Sequence, residues 1–325
     1  MAYSAAILER ARARLAEARS QCAQDDAVRI GAIYDRLPRL RQIDLALQKT
    51  AAKVCAAAFR AGEDPSETMR QLKEENLQLQ QERDWILESE GIDPEDLEET
   101  SICPHCGGSG YVGARMCECL AELCRQEQKK ELSQLLGAGR ESFDRFRLDY
   151  YPAEYDPDLG MSPREMMKKV YERAVRYAQT FTPAAKSLLF SGATGLGKTF
   201  LSACIARSVA DRGFSVCYAS AEGLFADFEQ QKFRPREGVD ATRRYLGCNL
   251  LILDDLGTEM TTQFTIAALY QVVNTRLLEG RASIVSTNLP LGELDRRYSA
   301  QIASRLLGSY TLYKFAGRDI RMMNK

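Results

Sequence analysis

The chain has 325 residues, is 45% hydrophobic and carries a formal net charge of −1. That length allows two or three domains and at least one sizeable core, and the near-neutral balance does not advertise nucleic acid through bulk charge, though a local basic surface stays open. No apolar run approaches the ~20 residues that span a bilayer, and the Arg- and Ala-rich start is interrupted by Glu9, Glu17, Asp25 and Asp26 instead of carrying a signal-peptide core, so a cytoplasmic protein with no membrane contact is expected.

Residues 1–100 read as an all-α region. Ala2 to Arg19 is made of good helix formers, Pro38 interrupts the next segment, and Ile43, Leu47 and Val54 then recur at helical spacing. Gly62-Glu63-Asp64-Pro65-Ser66 is a break. Beyond it Met69, Leu72, Leu79 and Ile86 repeat at three- and seven-residue intervals, with Asn76 and Arg83 at intervening seam positions, which predicts a helical hairpin or short coiled coil. Residues 1–60 carry roughly five net positive charges and residues 61–100 roughly eleven net negative. This division reads either as two solvated helix faces that attract each other or as a docking surface for a partner protein.

Five of the ten cysteines fall between Cys103 and Cys124, a clustering that points to metal rather than disulfides. Cys103-Pro104-His105-Cys106 supplies half of a tetrahedral thiolate site on one tight turn, and Cys117-Glu118-Cys119 supplies the other half. The second spacing is shorter than the commonest zinc pattern, which leaves His105 or Cys124 open as a substitute for one ligand. Residues 101–124 are thus expected to be a small zinc-binding module. Residues 125–160 read as a polar linker holding Gly137-Ala138-Gly139, Phe143, Phe146, Tyr150 and Tyr151.

From Ser162 onward strands and helices alternate, so residues 161–325 are expected to form an α/β domain: a parallel sheet flanked by helices. Strands are predicted over 187–190, 215–220, 249–255, 281–287 and 310–315. Helices are predicted over 198–211, capped by Gly213, over 221–231, and over 265–279, closed by Gly280, with short helices across 291–307.

The chemistry concentrates between these elements. Gly192-Ala193-Thr194-Gly195-Leu196-Gly197-Lys198-Thr199, set between a strand and a helix, is a complete phosphate-binding loop. Its glycines let successive N–H groups point at phosphate, Lys198 neutralises the β- and γ-phosphates of ATP, and the Thr199 hydroxyl ligates Mg2+. The apolar strand ending in Asp254-Asp255 puts two carboxylates at the sheet's ligand-binding edge, Asp254 to hold Mg2+ and Asp255 to orient the attacking water. Asn288, at the end of Ser283-Ile284-Val285-Ser286-Thr287-Asn288, is placed to bond the γ-phosphate or that water, or is a plain turn residue before Leu289-Pro290. Arg305, in the apolar run Ile302–Leu307, is a cation suited to a neighbour's nucleotide.

These residues together resemble the bacterial DnaC/DnaI family of replicative helicase loaders, a branch of the AAA+ ATPases. The resemblance is carried by the phosphate loop, by Leu250-Leu251-Ile252-Leu253-Asp254-Asp255-Leu256-Gly257-Thr258-Glu259, by Ser286-Thr287-Asn288, by Ser304-Arg305-Leu306 and by Gly317-Arg318-Asp319-Ile320-Arg321. The cysteine segment, Phe143-x-x-Phe146 and Tyr150-Tyr151 resemble the DnaI-type front half. The likeness spans residues 90–325 well and residues 1–90 loosely. It implies ATP hydrolysis, binding of single-stranded DNA, self-association through the ATPase domain, and an N-terminal grip on a hexameric replicative helicase. It also implies that Lys198 and Thr199 are Walker A, Asp254 and Asp255 Walker B, Asn288 sensor 1, Arg305 the arginine finger, and Arg321 or Arg318 sensor 2. Arg234, Arg236, Arg243 and Arg244, with Phe233 or Tyr245 as base-stacking platforms, read either as DNA contacts or as a solvated basic loop. Two departures stand out: Asp255 occupies a place that is usually Glu, which implies slow turnover, and the chain ends too soon after Arg321 for a full helical lid. The alternatives are an IstB-type transposition helper, an adaptor in which nucleotide is only a switch, and a DNA-binding zinc protein with a degenerate ATPase.

Overall fold

In a computed structural model the structure describes residues 3–58, 66–135, 141–233, 240 and 242–322. The expected break at 62–65, the run Gly137-Ala138-Gly139, Arg234 and Arg236 lie outside these residues, as do the side chains of Val54 and Met69. The chain divides into two compact units, residues 14–117 and residues 1–13 with 118–325.

Residues 14–117 contain most of α1 (Ala5–Arg36), then α2 (Pro38–Ala58), α3 (Ser66–Glu90) and a two-stranded antiparallel hairpin, β1 (Tyr111–Val112) and β2 (Arg115–Met116). The anticipated seam is the contact between α2 and α3. Leu40 and Ile43 are buried against Ile86 and Leu87, with Leu47 and Leu79 at the margin. Arg83 is an ion-pair residue of that seam, 2.7 Å from Asp44, and Arg39 meets Glu82 at 2.7 Å. The two pairs run in opposite directions across the seam, Arg39 of α2 with Glu82 of α3 and Arg83 of α3 with Asp44 of α2.

The second unit is a three-layer α/β domain. Its elements are α4 (Glu118–Leu135), α5 (Pro163–Gln179), β3 (Leu188–Ser191), α6 (Lys198–Asp211), β4 (Val216–Ser220), α7 (Ala221–Phe233), α8 (Arg243–Gly247), β5 (Leu250–Leu256), α9 (Gln263–Leu278), β6 (Ala282–Thr287), α10 (Leu294–Arg297), α11 (Ala300–Ser309) and β7 (Thr311–Lys314). The five strands form one parallel sheet in the order β4-β5-β6-β3-β7. Strand residues alternate between the two faces. Leu188, Phe190, Leu250, Ile252 and Ile284 join the core beneath α5 and α6. Leu189, Leu251, Leu253 and Val285 join the core beneath α7, α9 and α11. Coverage on both faces explains why β5 and β6 read as continuous apolar runs.

The first part of the stretch expected as a linker, residues 125–135, is helical. Residues 118–135 are the helix α4, and Leu120, Ala121, Cys124 and Leu132 are buried along one side of it. Gln128 lies on the same stripe. Its Nε2 donates to Phe214 O at 2.9 Å, and its Oε1 accepts from the Val216 N–H at 2.9 Å. The side-chain amide thus takes the place of a further strand beside edge strand β4.

Arg276 on α9 is fully buried, and among the described residues it meets no carboxylate. Its guanidinium donates to Ser283 Oγ and to the carbonyls of Tyr245, Leu246, Cys248 and Ala282, so its fixed fork of donors is satisfied by backbone. These bonds tie α9 to the starts of β5 and β6.

Candidate functional site

The phosphate loop leaves β3 at Ser191 and enters α6 at Lys198, as its strand–loop–helix context predicts. Gly195 and Gly197 have φ of 74° and 88°, a region open to glycine at little steric cost. Lys198 is 4% exposed, and its Nζ donates to Gly192 O at 2.7 Å and to Ala193 O at 2.8 Å. Burial lowers its pKa, while Asp255 and Asp254 act in the opposite direction. A phosphate arriving here exchanges two neutral acceptors for a charged one.

β5 presents the two carboxylates at its C-terminal end, and their roles diverge. Asp254 is buried and accepts hydrogen bonds from Tyr218 Oη, at 2.7 Å, and from Ser286 Oγ. Asp255 has φ of 54°, one of two non-glycine residues with positive φ among those described, and its N–H donates to Ser286 Oγ at 3.0 Å. That turn aims Asp255 away from the sheet's alternation and into the cavity. Its pKa is raised by burial first and by Asp254 second. Ser286 therefore organises both acids from the neighbouring strand.

These groups share one cavity of about 630 Å³, lined by Thr194–Thr199, Asp254, Asp255, Tyr218 and Arg321. Arg321 is brought there by the C-terminal segment, where the Ile320 N–H donates to Gly195 O at 3.0 Å. Thr199 and Asp254 offer a hydroxyl and a carboxylate in the same cavity, a donor pair that fits Mg2+.

Three expected site residues lie elsewhere. Asn288 is half-buried beside the turn after β5, its Oδ1 buried without a hydrogen-bond partner among the described residues, and it does not line the cavity. Arg318 is exposed and does not line it, which leaves Arg321 as the residue of the pair that does. Arg305 projects from α11 and is held outside the cavity by Tyr270 Oη (2.8 Å) and Asn274 Oδ1 (3.0 Å), its guanidinium 4.6 Å from the Tyr270 ring centre.

The opposite wall comes from the segment read as linker. Phe146 stacks on Tyr171, with ring centres 5.2 Å apart and 20° between planes, and Tyr151 Oη donates to Leu196 O at 2.9 Å. Phe146, Tyr150, Tyr151 and Phe200 line the cavity, a surface suited to a flat heterocycle. The signal was the density of aromatics in an otherwise polar stretch, but sequence spacing gave them no partner.

The expected DNA surface is altered in part. Tyr245 is fully buried, so its face is unavailable for stacking, and its hydroxyl donates to Asp227 at 2.6 Å. Arg244 is committed to the same Asp227. Arg243 is largely exposed, and Phe233 is 63% exposed with Lys232 over its ring.

The cysteine segment gathers the sulfurs of Cys103, Cys106, Cys117 and Cys119 within 4.8 Å of one another. A tetrahedral zinc site with Zn–S of about 2.3 Å needs sulfurs about 3.8 Å apart. Cys103 Sγ and Cys117 Sγ are 3.7 Å apart, and the Gly110 N–H donates to Cys106 Sγ at 3.3 Å. The donor set fits Zn2+, and the group includes neither His105 nor Cys124.

Residues 165–310 match the family described as IstB-like ATP binding protein. The replicative helicase loader DnaC of Buchnera aphidicola subsp. Schizaphis graminum is 22% identical over 172 residues, 51% of this chain and 66% of that protein. The chromosomal replication initiator protein DnaA of Helicobacter pylori (strain J99) is 33% identical over 87 residues, 26% of this chain and 19% of that one. A crystal structure of the DnaC helicase loader superposes with a TM-score of 0.44 and 18% identity, covering 54% of this chain and 98% of that chain. The chain thus spans only part of the length of these curated relatives. Among the described residues no helix is long and apolar enough to cross a membrane.

Proposed function

We propose that this chain is an ATPase that loads a hexameric, DnaB-type replicative helicase onto single-stranded DNA in the cytoplasm, a reading supported by the match of residues 165–310 to the family described as IstB-like ATP binding protein. The observation that carries the reading is the convergence of Lys198, Thr199, Asp254, Asp255 and Arg321 on one cavity, with Arg305 fixed outside it. ATP occupies the cavity with its base toward Phe146 and Tyr151 and its phosphates on the loop. Lys198 and Arg321 bear the β/γ charge. Thr199 and Asp254 would hold Mg2+, which would supply further neutralisation of that charge. Asp255 orients the water that attacks the γ-phosphorus, ADP leaves, and the proton departs through the raised-pKa carboxylate. Arg305 completes the charge stabilisation only in the cavity of a neighbouring copy. A lone chain therefore turns over slowly, and assembly accelerates it.

Helicase grip is assigned to residues 14–117. The outward face of α3 carries Leu77 and Trp85, 54% and 68% exposed, among Glu74, Asp84 and Glu88. Exposed aromatics within a charged rim are the composition of interface anchors, and the acids favour a basic partner surface. Trp85 is the chain's one tryptophan, so its emission reads this face directly. Titration with a tryptophan-free hexameric, DnaB-type helicase should shift that emission to the blue. Trp85→Ala in the full chain should weaken binding roughly thirtyfold with ATP affinity unchanged. Unaltered emission at saturation, together with unaltered affinity in the variant, contradicts the assignment.

A second reading, the IstB-type transposition helper, draws on the family description matched by residues 165–310. Helices α1–α4 and the cysteine segment lie outside that match.

A further inference from the structure

The turn that follows Asp255 is held in an unusual way. Gly257 has φ of 113°, and a Cβ there would lie 2.6 Å from Leu289 Cγ and 3.1 Å from Asn288 Oδ1, so the backbone is pressed against the end of β6. Two residues on, Glu259 folds back into the protein and is 8% exposed. Its Oε2 accepts the Gly257 N–H at 2.9 Å, and its Oε1 accepts the hydroxyl of Tyr298. Its backbone carbonyl accepts from Arg297 Nη2 at 2.7 Å. A buried carboxylate without an ion-pair partner among the described residues is unfavourable unless its oxygens are bonded, so it strongly dictates where its donors stand.

Tyr298 is 1% exposed and packs in the core with Leu294, Ile302 and Leu306. It directly precedes Ser299, whose Oγ caps α11 by accepting the Ile302 N–H, and α11 carries Arg305. One carboxylate thus links the turn beside the water-orienting acid to the root of the helix that presents the external arginine. Desolvation and Glu259 together raise the pKa of Tyr298, which keeps its proton available as the donor in this link.

We propose that Glu259 and Tyr298 form a latch through which the state of one nucleotide cavity sets the position of Arg305 toward the next. The inference rests on the reading of Arg305 as a group acting on a neighbour's ATP. Loss of the γ-phosphate relaxes Asp255 and the Gly257 turn. Glu259 moves with the turn, Tyr298 follows, and α11 changes pitch. Glu259 and Tyr298 are positioning residues that touch neither nucleotide nor water. The link is a contiguous set of bonds with a discrete element at each end, which is the physical requirement for coupling two sites.

The test is a double-mutant cycle on full-length protein, with ATP turnover measured at an assembling concentration and nucleotide affinity measured separately. Tyr298→Phe removes one hydroxyl from a packed ring and keeps the core filled. It should lower kcat about tenfold while the nucleotide Kd stays within about twofold of wild type. Arg305→Ala should lower kcat further, and Tyr298→Phe added to it should have no additional effect. Glu259→Gln, which retains an acceptor for Tyr298, should be milder than Glu259→Ala. Wild-type kcat in Tyr298→Phe alongside a large loss in Arg305→Ala overturns the latch and leaves the role of Arg305 standing. Additive losses in the double variant also overturn it. Wild-type turnover in Arg305→Ala itself overturns the parent reading and the latch with it.

Discussion

Lys198→Ala should abolish productive ATP binding while leaving the domain folded. In the structure this side chain is the buried cation of the phosphate loop, and its bonds to the Gly192 and Ala193 carbonyls are those a phosphate replaces. Charge-assisted bonds to phosphate are roughly twice as strong as neutral ones, so their loss falls mainly on nucleotide rather than on the apoprotein. Removing an amine that only two carbonyls hold leaves those carbonyls open to water at the cavity wall. The cores on either side of the sheet, around Leu188, Phe190, Leu251 and Val285, do not depend on it. Titration with a fluorescent ATP analogue should show a loss of at least about a hundredfold, with an unchanged thermal transition. Unchanged affinity refutes the assignment of the loop.

The second large effect concerns metal. Protein purified under reducing conditions should contain one zinc per chain, and Cys103→Ser or Cys117→Ser should abolish it. A structural zinc contributes on the order of 10 kcal/mol in small domains that are otherwise unfolded. The stretch from Ser101 to Met116 has little else to hold it: a hairpin of two-residue strands and backbone turns at Gly107, Gly108 and Gly110. Hydrogen exchange across residues 101–117 should therefore rise to near the unprotected rate in either variant, whereas exchange in β5 and β6 stays as in wild type. Elemental analysis without zinc, or full protection in the serine variants, contradicts the site.

The ATPase half was largely legible in the sequence because its signals are local. β5 and β6 are buried on both faces and so appear as unbroken apolar runs, and the glycine loop announces the strand before it and the helix after it. What stayed hidden depends on contacts distant in the chain. Helix α4 has apolar residues at 120, 124 and 132, but Gln128 stands in the third place of that stripe. The reason Gln128 is there, the open edge of β4, lies nearly ninety residues away. The aromatic wall at Phe146 and Tyr151 was visible as composition but not as a site. Its partners, Tyr171 and the Leu196 carbonyl, come from α5 and from the loop before α6. Tyr245 misled because a tyrosine among arginines resembles a stacking platform, whereas the burial of its ring is set by Phe228 and the core beneath α7. Asn288 and Arg305 were identified by motif, and neither lines this chain's own cavity. For Arg305 that position suits a role toward a second copy.

The most direct measurement of the central proposal is retention of the hexameric helicase on closed circular single-stranded DNA, scored after a high-salt wash that strips non-encircling protein. A ring can stay on a closed circle only if it has been opened and resealed around the strand. Wild-type protein with ATP should leave the helicase on the circle, whereas wild-type protein without ATP, or Lys198→Ala with ATP, should leave none above the level of helicase alone. Equal retention with and without ATP, or retention by Lys198→Ala at the wild-type level, contradicts the account.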